Sequence, residues 1–146
     1  MSDEVLTLSQ IKMPGTARTK DDAIRESGQI LVDAGAVEPA YIDSMFERER
    51  SVSTYMGNYL AIPHGTNESK ESIRRSALSV VRYPEPIDWD GNEVLFALGI
   101  AGYQGGHMDI LSRIAIVFSD TDEVDKLVAA RSAEELYNLL NAVNEG

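Results

Sequence analysis

The chain has 146 residues, 43% of them hydrophobic and 25% charged, with no cysteine, two histidines and a formal charge of −11. That length suits one domain with its own core and is short for two, and the composition is that of a globular chain rather than a disordered one. The missing cysteine rules out disulfides, thiolate nucleophiles and cysteine-held metals, while 24 acids against 13 bases argue against nucleic-acid or anionic-membrane binding, which needs Lys and Arg to displace counterions.

Met1-Ser2-Asp3-Glu4 lacks the basic head and apolar core of a signal peptide. The longest stretch free of charged or strongly polar residues, Val94–Tyr103, is about half a membrane span. A cytoplasmic protein without direct membrane insertion is expected. Val5-Leu6-Thr7-Leu8 reads as a short strand. Thr19 is placed to cap a helix with Asp21 and Asp22 in its first turn. Ile24, Gly28, Leu31 and Gly35 follow at helical spacing, and Gly35 is a natural stop. Glu38-Pro39 opens a second helix with Tyr41, Ile42, Met45 and Phe46 on one face, and the Glu47-Arg48-Glu49-Arg50 run after them reads as solvated.

After a Gly57-Asn58 turn, Tyr59–Ile62 is a short apolar strand that Pro63 stops, because proline brings no N–H to a ladder. Asn67–Ser76 fits one short helix. Ala77–Tyr83 and Val94–Ala101 are the clearest strands, the second apolar throughout as a central strand should be. Pro84-Glu85-Pro86 and Asp90-Gly91-Asn92 between them are turn chemistry. Met108, Leu111, Ala115 and Phe118 then give helical spacing. Asp120 with Glu123 and Ser132 with Glu135 are capping-box pairs opening two last helices, the second with a Leu136, Leu139, Leu140, Val143 stripe. No linker or repeat divides residues 1–146, so a single α/β domain is expected, its four or five strands covered by helices.

His64 follows an apolar strand in Ala61-Ile62-Pro63-His64-Gly65-Thr66, and His107 follows the best strand in Gly102-Tyr103-Gln104-Gly105-Gly106-His107. Ligands of α/β sheets gather outside the carboxyl ends of strands. If the two strands are parallel neighbours, both imidazoles reach one edge, and His107 opens a helix whose positive end favours a neutral ring and an oxyanion. A histidine in a turn is also an ordinary polar surface residue. The chain has neither a G-x-S-x-G elbow nor a G-x-x-x-x-G-K-[ST] phosphate loop. No cofactor or metal is called for, since a neutral imidazole can itself take a phosphoryl group on nitrogen, given a second donor and an arginine near the oxygens.

The segment Arg48-Glu49-Arg50-Ser51-Val52-Ser53-Thr54-Tyr55-Met56-Gly57-Asn58-Tyr59-Leu60-Ala61-Ile62-Pro63-His64-Gly65-Thr66 resembles the phosphorylation-site signature of enzyme IIA of the bacterial sugar phosphotransferase system, mannitol/fructose type. That signature is an Arg-Glu pair, then Thr-Tyr-x-Gly, then an apolar strand ending in Pro-His-Gly. Thr66 is similar to the mannitol branch. The resemblance implies a mixed sheet sandwiched between helices and a phosphotransferase role. His64 would be phosphorylated through Nε2, with His107 and Arg48 contacting the phosphoryl group and Asn58 standing where relatives have an acid or Asn that orients an imidazole.

It also implies two partners, a histidine-containing phosphocarrier protein as donor and a mannitol-type enzyme IIB, linked to the membrane permease, as acceptor. The acceptor residue in that enzyme IIB is a cysteine, so a chain without cysteine is expected to be a free-standing enzyme IIA. The alternative implied by the same family is a regulatory module, fructose- or nitrogen-type, that signals by phosphorylation-dependent binding. Trp89 reads as a packing residue rather than a sugar platform.

Overall fold

Two long strands set the architecture. β4 (Ala77–Trp89) and β5 (Asn92–Ala101) form an antiparallel hairpin. Asp90 and Gly91 turn it, at φ 55° and 92°, the left-handed backbone that two-residue hairpins require. Side chains alternate across the pair. Leu78, Val80, Phe96, Leu98 and Ile100 enter one core, and Ala77, Val81, Tyr83, Ala97 and Ala101 enter the other. With both faces covered, β5 reads as a continuous apolar run. The computed structural model describes residues 5–66, 71–103 and 107–141, without the side chain of His107.

The remaining strands, β1 (Ile11–Lys12), β2 (Tyr55–Gly57) and β3 (Leu60–Ala61), flank the hairpin in the order β1-β4-β5-β3-β2. β1 runs parallel to β4 and β3 parallel to β5, while β2 is antiparallel to β3. The helices α1 (Lys20–Asp33) and α2 (Ala40–Ser51) cover one face; α3 (His107–Ser119), α4 (Thr121–Ala129) and α5 (Ala133–Leu140) cover the other. This is the mixed, five-stranded sheet between helical layers that was expected, with β5 at its centre. Among the described residues no helix is long and apolar enough to cross a membrane.

The three N-caps form, Thr19 and Ser132 as expected, whereas Asp120 caps through Asp122 N and the expected box partner Glu123 lies against Lys126 instead. Thr19 Oγ1 accepts from Asp22 N at 3.2 Å, Asp120 Oδ1 from Asp122 N at 2.9 Å, and Ser132 Oγ from Glu135 N at 3.1 Å. Gly35, at φ 75°, lies just beyond α1. Other expectations are corrected. Val5–Leu8 is not a strand: Leu78 N donates to Val5 O, but the buried Gln10 side chain takes Leu78 O, the acceptor the next ladder bond would use, and the strand comes later at Ile11–Lys12. The Pro84-Glu85-Pro86 stretch does not turn the chain. β4 runs through it with a register shift between Arg82 and Ile87, where exposed prolines forfeit no ladder bond.

Tyr59–Ile62 shortens to Leu60–Ala61, because Asn58 and Tyr59, at φ 51° and 69°, turn a small hairpin whose first strand is β2. No helix spans 71–76, where Ile73 bridges Val37; residues 67–70 of that expected helix, like Val143, lie outside the described residues. α3 turns a different face inward. Ile110, Ile114 and Phe118 are buried, whereas Met108 is 58% exposed. Apolar residues occur almost all round this helix, so spacing alone does not choose among overlapping stripes.

Candidate active site

The parallel register of Leu60 with Phe96 and Ala61 with Ala97 resumes at His64 with Ile100. The carboxyl ends of β3 and β5 therefore share one edge, and His64 leaves the sheet there. α3, which His107 opens, begins a short connection beyond β5. The structure thus brings His64 to the expected edge; the side chain of His107, with Gly105 and Gly106, lies outside the described residues.

Pro63 cannot donate, but its carbonyl accepts from Ile100 N at 3.0 Å, and Ile62 N donates to Thr54 O at 3.1 Å. His64 Nδ1 lies 2.8 Å from Ile62 O. A carbonyl only accepts, so Nδ1 carries the proton and the lone pair resides on Nε2. In that tautomer Nε2 is the one ring atom that can act as a nucleophile.

Tyr41, buried on α2, donates through its hydroxyl to Ile100 O at 2.8 Å and accepts from Gly65 N at 2.9 Å. Burial pushes its pKa up to about 12, the Gly65 N–H opposing in part. Gly65 N is therefore engaged by Tyr41 rather than turned toward a ligand.

Arg48 lies in the last turn of α2 and donates through Nη1 to Val52 O at 2.8 Å. It is two helical turns from Tyr41, on the same side of the helix. Asn58 is not the partner of the His64 Nδ1 proton. Its amide donates to Phe118 O at 2.7 Å, tying the β2–β3 turn to the end of α3, and the carbonyl of Ile62 takes the orienting role.

Glu49 overturns the expectation of a solvated Glu-Arg run. It is 5% exposed and accepts from Thr54 N at 2.8 Å, Thr54 Oγ1 at 2.5 Å and Trp89 Nε1 at 3.1 Å, with Lys20 Nζ at 3.6 Å. The Arg-Glu and Thr-Tyr parts of the signature are thus joined through one buried carboxylate. Trp89, fully buried, packs as expected. Tyr41 and Glu49 were visible in the sequence only as a helix-face tyrosine and one member of a charge run. Among the described residues, no group of three or more His, Asp or Glu side chains is placed to hold a metal.

Residues 4–143 match the model of the EIIA 2 family of the phosphoenolpyruvate-dependent sugar phosphotransferase system. The chain is 50% identical over 145 residues to the mannitol-specific phosphotransferase enzyme IIA component of Halalkalibacterium halodurans, covering 99% of this chain and all of that protein. Among solved structures it is similar to enzyme IIAMTL in a complex with phosphorylated enzyme IIBMTL from Escherichia coli, at TM-score 0.86 and 30% identity, covering 93% of this chain and 96% of that one. The crystal structure of IIA mannitol from Escherichia coli matches at TM-score 0.85 and 30% identity, over 92% of this chain and 98% of that one.

Proposed function

The chain belongs to the EIIA 2 family of the sugar phosphotransferase system, and on that premise we propose that it is a mannitol-type enzyme IIA that carries a phosphoryl group on His64. The observation that carries the assignment to His64 is the bond from Nδ1 to Ile62 O, which leaves the lone pair on Nε2 at the exit of a strand in register with β5. The donor is the phosphohistidine of the histidine-containing phosphocarrier protein, and the acceptor is the cysteine of a mannitol-type enzyme IIB linked to the membrane permease. The setting is the cytoplasm. Half-identity to a mannitol-specific component over the whole chain favours transport over the regulatory reading.

In the forward step the Nε2 lone pair forms the new N–P bond as the donor's N–P bond breaks in line, and the donor imidazole leaves with the electron pair. The proton stays on His64 Nδ1, so the phosphorylated ring is cationic and its N–H···O bond to Ile62 becomes charge-assisted. Passing the group to enzyme IIB restores the lone pair. Positioning and electrostatics carry such transfers, with little need for acid–base work. His107 at the positive end of α3 and the remaining N–H donors of Arg48 stabilise the non-bridging oxygens. Asn58 serves at one remove, through α3. Gly65 N, already bound to Tyr41, is not among the oxygen donors.

Intact-mass measurement after incubation with phosphoenolpyruvate, enzyme I and the phosphocarrier tests this. The wild type gains one phosphoryl group and His64→Ala gains none. A wild type left unmodified refutes the function, and a modified His64→Ala refutes the site.

A further inference from the structure

Resting on the reading that His64 is the acceptor, we infer that Tyr41 is a positioning residue for the transfer, its hydroxyl standing as the last rung between the His64 segment and β5. In a parallel pair one strand's residue bonds to the residues on either side of its partner. With His64 opposite Ile100, the first of these bonds forms directly, Ile100 N to Pro63 O at 3.0 Å. The second, from Gly65 N toward Ile100 O, runs through the phenol. Gly65 N donates to Tyr41 Oη at 2.9 Å, and Oη donates to Ile100 O at 2.8 Å.

The hydroxyl thus links the two strands just after His64, so the chain remains anchored to β5 where it leaves the sheet. Tyr41 is 2% exposed and uses both functions of its hydroxyl, which fixes its direction. The segment around the nucleophile is consequently held at Ile62 N by Thr54 O, at Pro63 O by Ile100 N and at Gly65 N by Tyr41, while the ring is held by Ile62 O. Tyr41 touches no reacting atom; it acts through the backbone that carries His64. Without the hydroxyl, Gly65 N either closes directly on Ile100 O or is released, and both outcomes move Nε2.

Tyr41→Phe in the full chain keeps the ring and removes only the hydroxyl. Single-turnover phosphorylation by the phosphorylated phosphocarrier is expected to slow by roughly tenfold to a hundredfold, with KM for the carrier changed less than about twofold. The 15N shifts of His64 should move from those of one fixed neutral tautomer toward averaged values. A purely structural role would lower Tm and leave both the rate of the folded fraction and these shifts unchanged, and that result overturns the proposal. If the variant does not fold, hydrogen exchange at Gly65 in the wild type decides. Protection of about a hundredfold or more over an open chain supports the rung, and an unprotected amide overturns it. Phosphorylation of the wild type on His64, measured alongside, separates the two claims: its absence sinks the site reading, whereas normal transfer by both proteins sinks only the role of Tyr41.

Discussion

A carboxylate without water is tolerated only when its lone pairs are occupied. Glu49 meets that condition with Thr54 N, Thr54 Oγ1, Trp89 Nε1 and the Lys20 ammonium. Glu49→Ala orphans two buried N–H donors and a hydroxyl at once, and should cost roughly 2–4 kcal/mol. Urea unfolding followed by Trp89 emission checks it, and a loss within error of zero would mean that the donors find other partners. The position of His64 at a strand exit is legible in the sequence because a histidine after an apolar strand, bounded by Pro and Gly, is a local pattern. Glu49 and Tyr41 were not, because their partners are distant along the chain. Trp89 lies 40 residues from Glu49, and Ile100 lies 59 from Tyr41. The bond from Asn58 to Phe118 O is equally invisible to a local pattern, the two residues being 60 apart.

Elements announced by their own ends were read correctly. The caps at Thr19, Asp120 and Ser132 each satisfy a first-turn N–H from within the local sequence. Among elements defined by pairing, β5 and the start of β4 were legible as apolar runs, but β2 exists only against β3, and β4 continues through prolines that look like a turn. The connection from β1 to α1 shows how such irregular chain is held. Glu26 on α1 accepts from Thr16 N, Thr16 Oγ1 and Ala17 N, with Lys12 Nζ at 2.7 Å. Burial alone would push this carboxyl up, but Lys12 and the three N–H and O–H donors outweigh it and hold it at about 2. A depressed folded value means that the contribution is complete above the ordinary glutamate value of 4.5 and is lost as pH falls from there toward about 2. Glu26→Gln, which cannot ionise, should therefore show a shallower decline of unfolding free energy across that interval than the wild type. Parallel declines would remove Glu26 from the acid response.

At the scale of the molecule, the β4–β5 hairpin is the contiguous piece from which the sheet is built, and the other strands add to its two edges from the N-terminal half of the chain. Hairpin contacts close short loops, whereas docking β3 on β5 closes a loop of 36 residues, from Leu60 to Phe96. Val80→Ala in the hairpin core should then slow refolding, while Ile62→Ala should leave refolding nearly unchanged and speed unfolding; the reverse pattern in stopped-flow kinetics would refute this order. The order bears on when the protein becomes active. Tyr41 and Pro63, bonded to Ile100, and Gly65, linked to it through Tyr41, are all translated before it. A nascent chain still short of β5 carries His64, the proposed phosphoryl acceptor, but not the scaffold that aims it, so on that reading competence arrives late in synthesis, with the closing of the last strand.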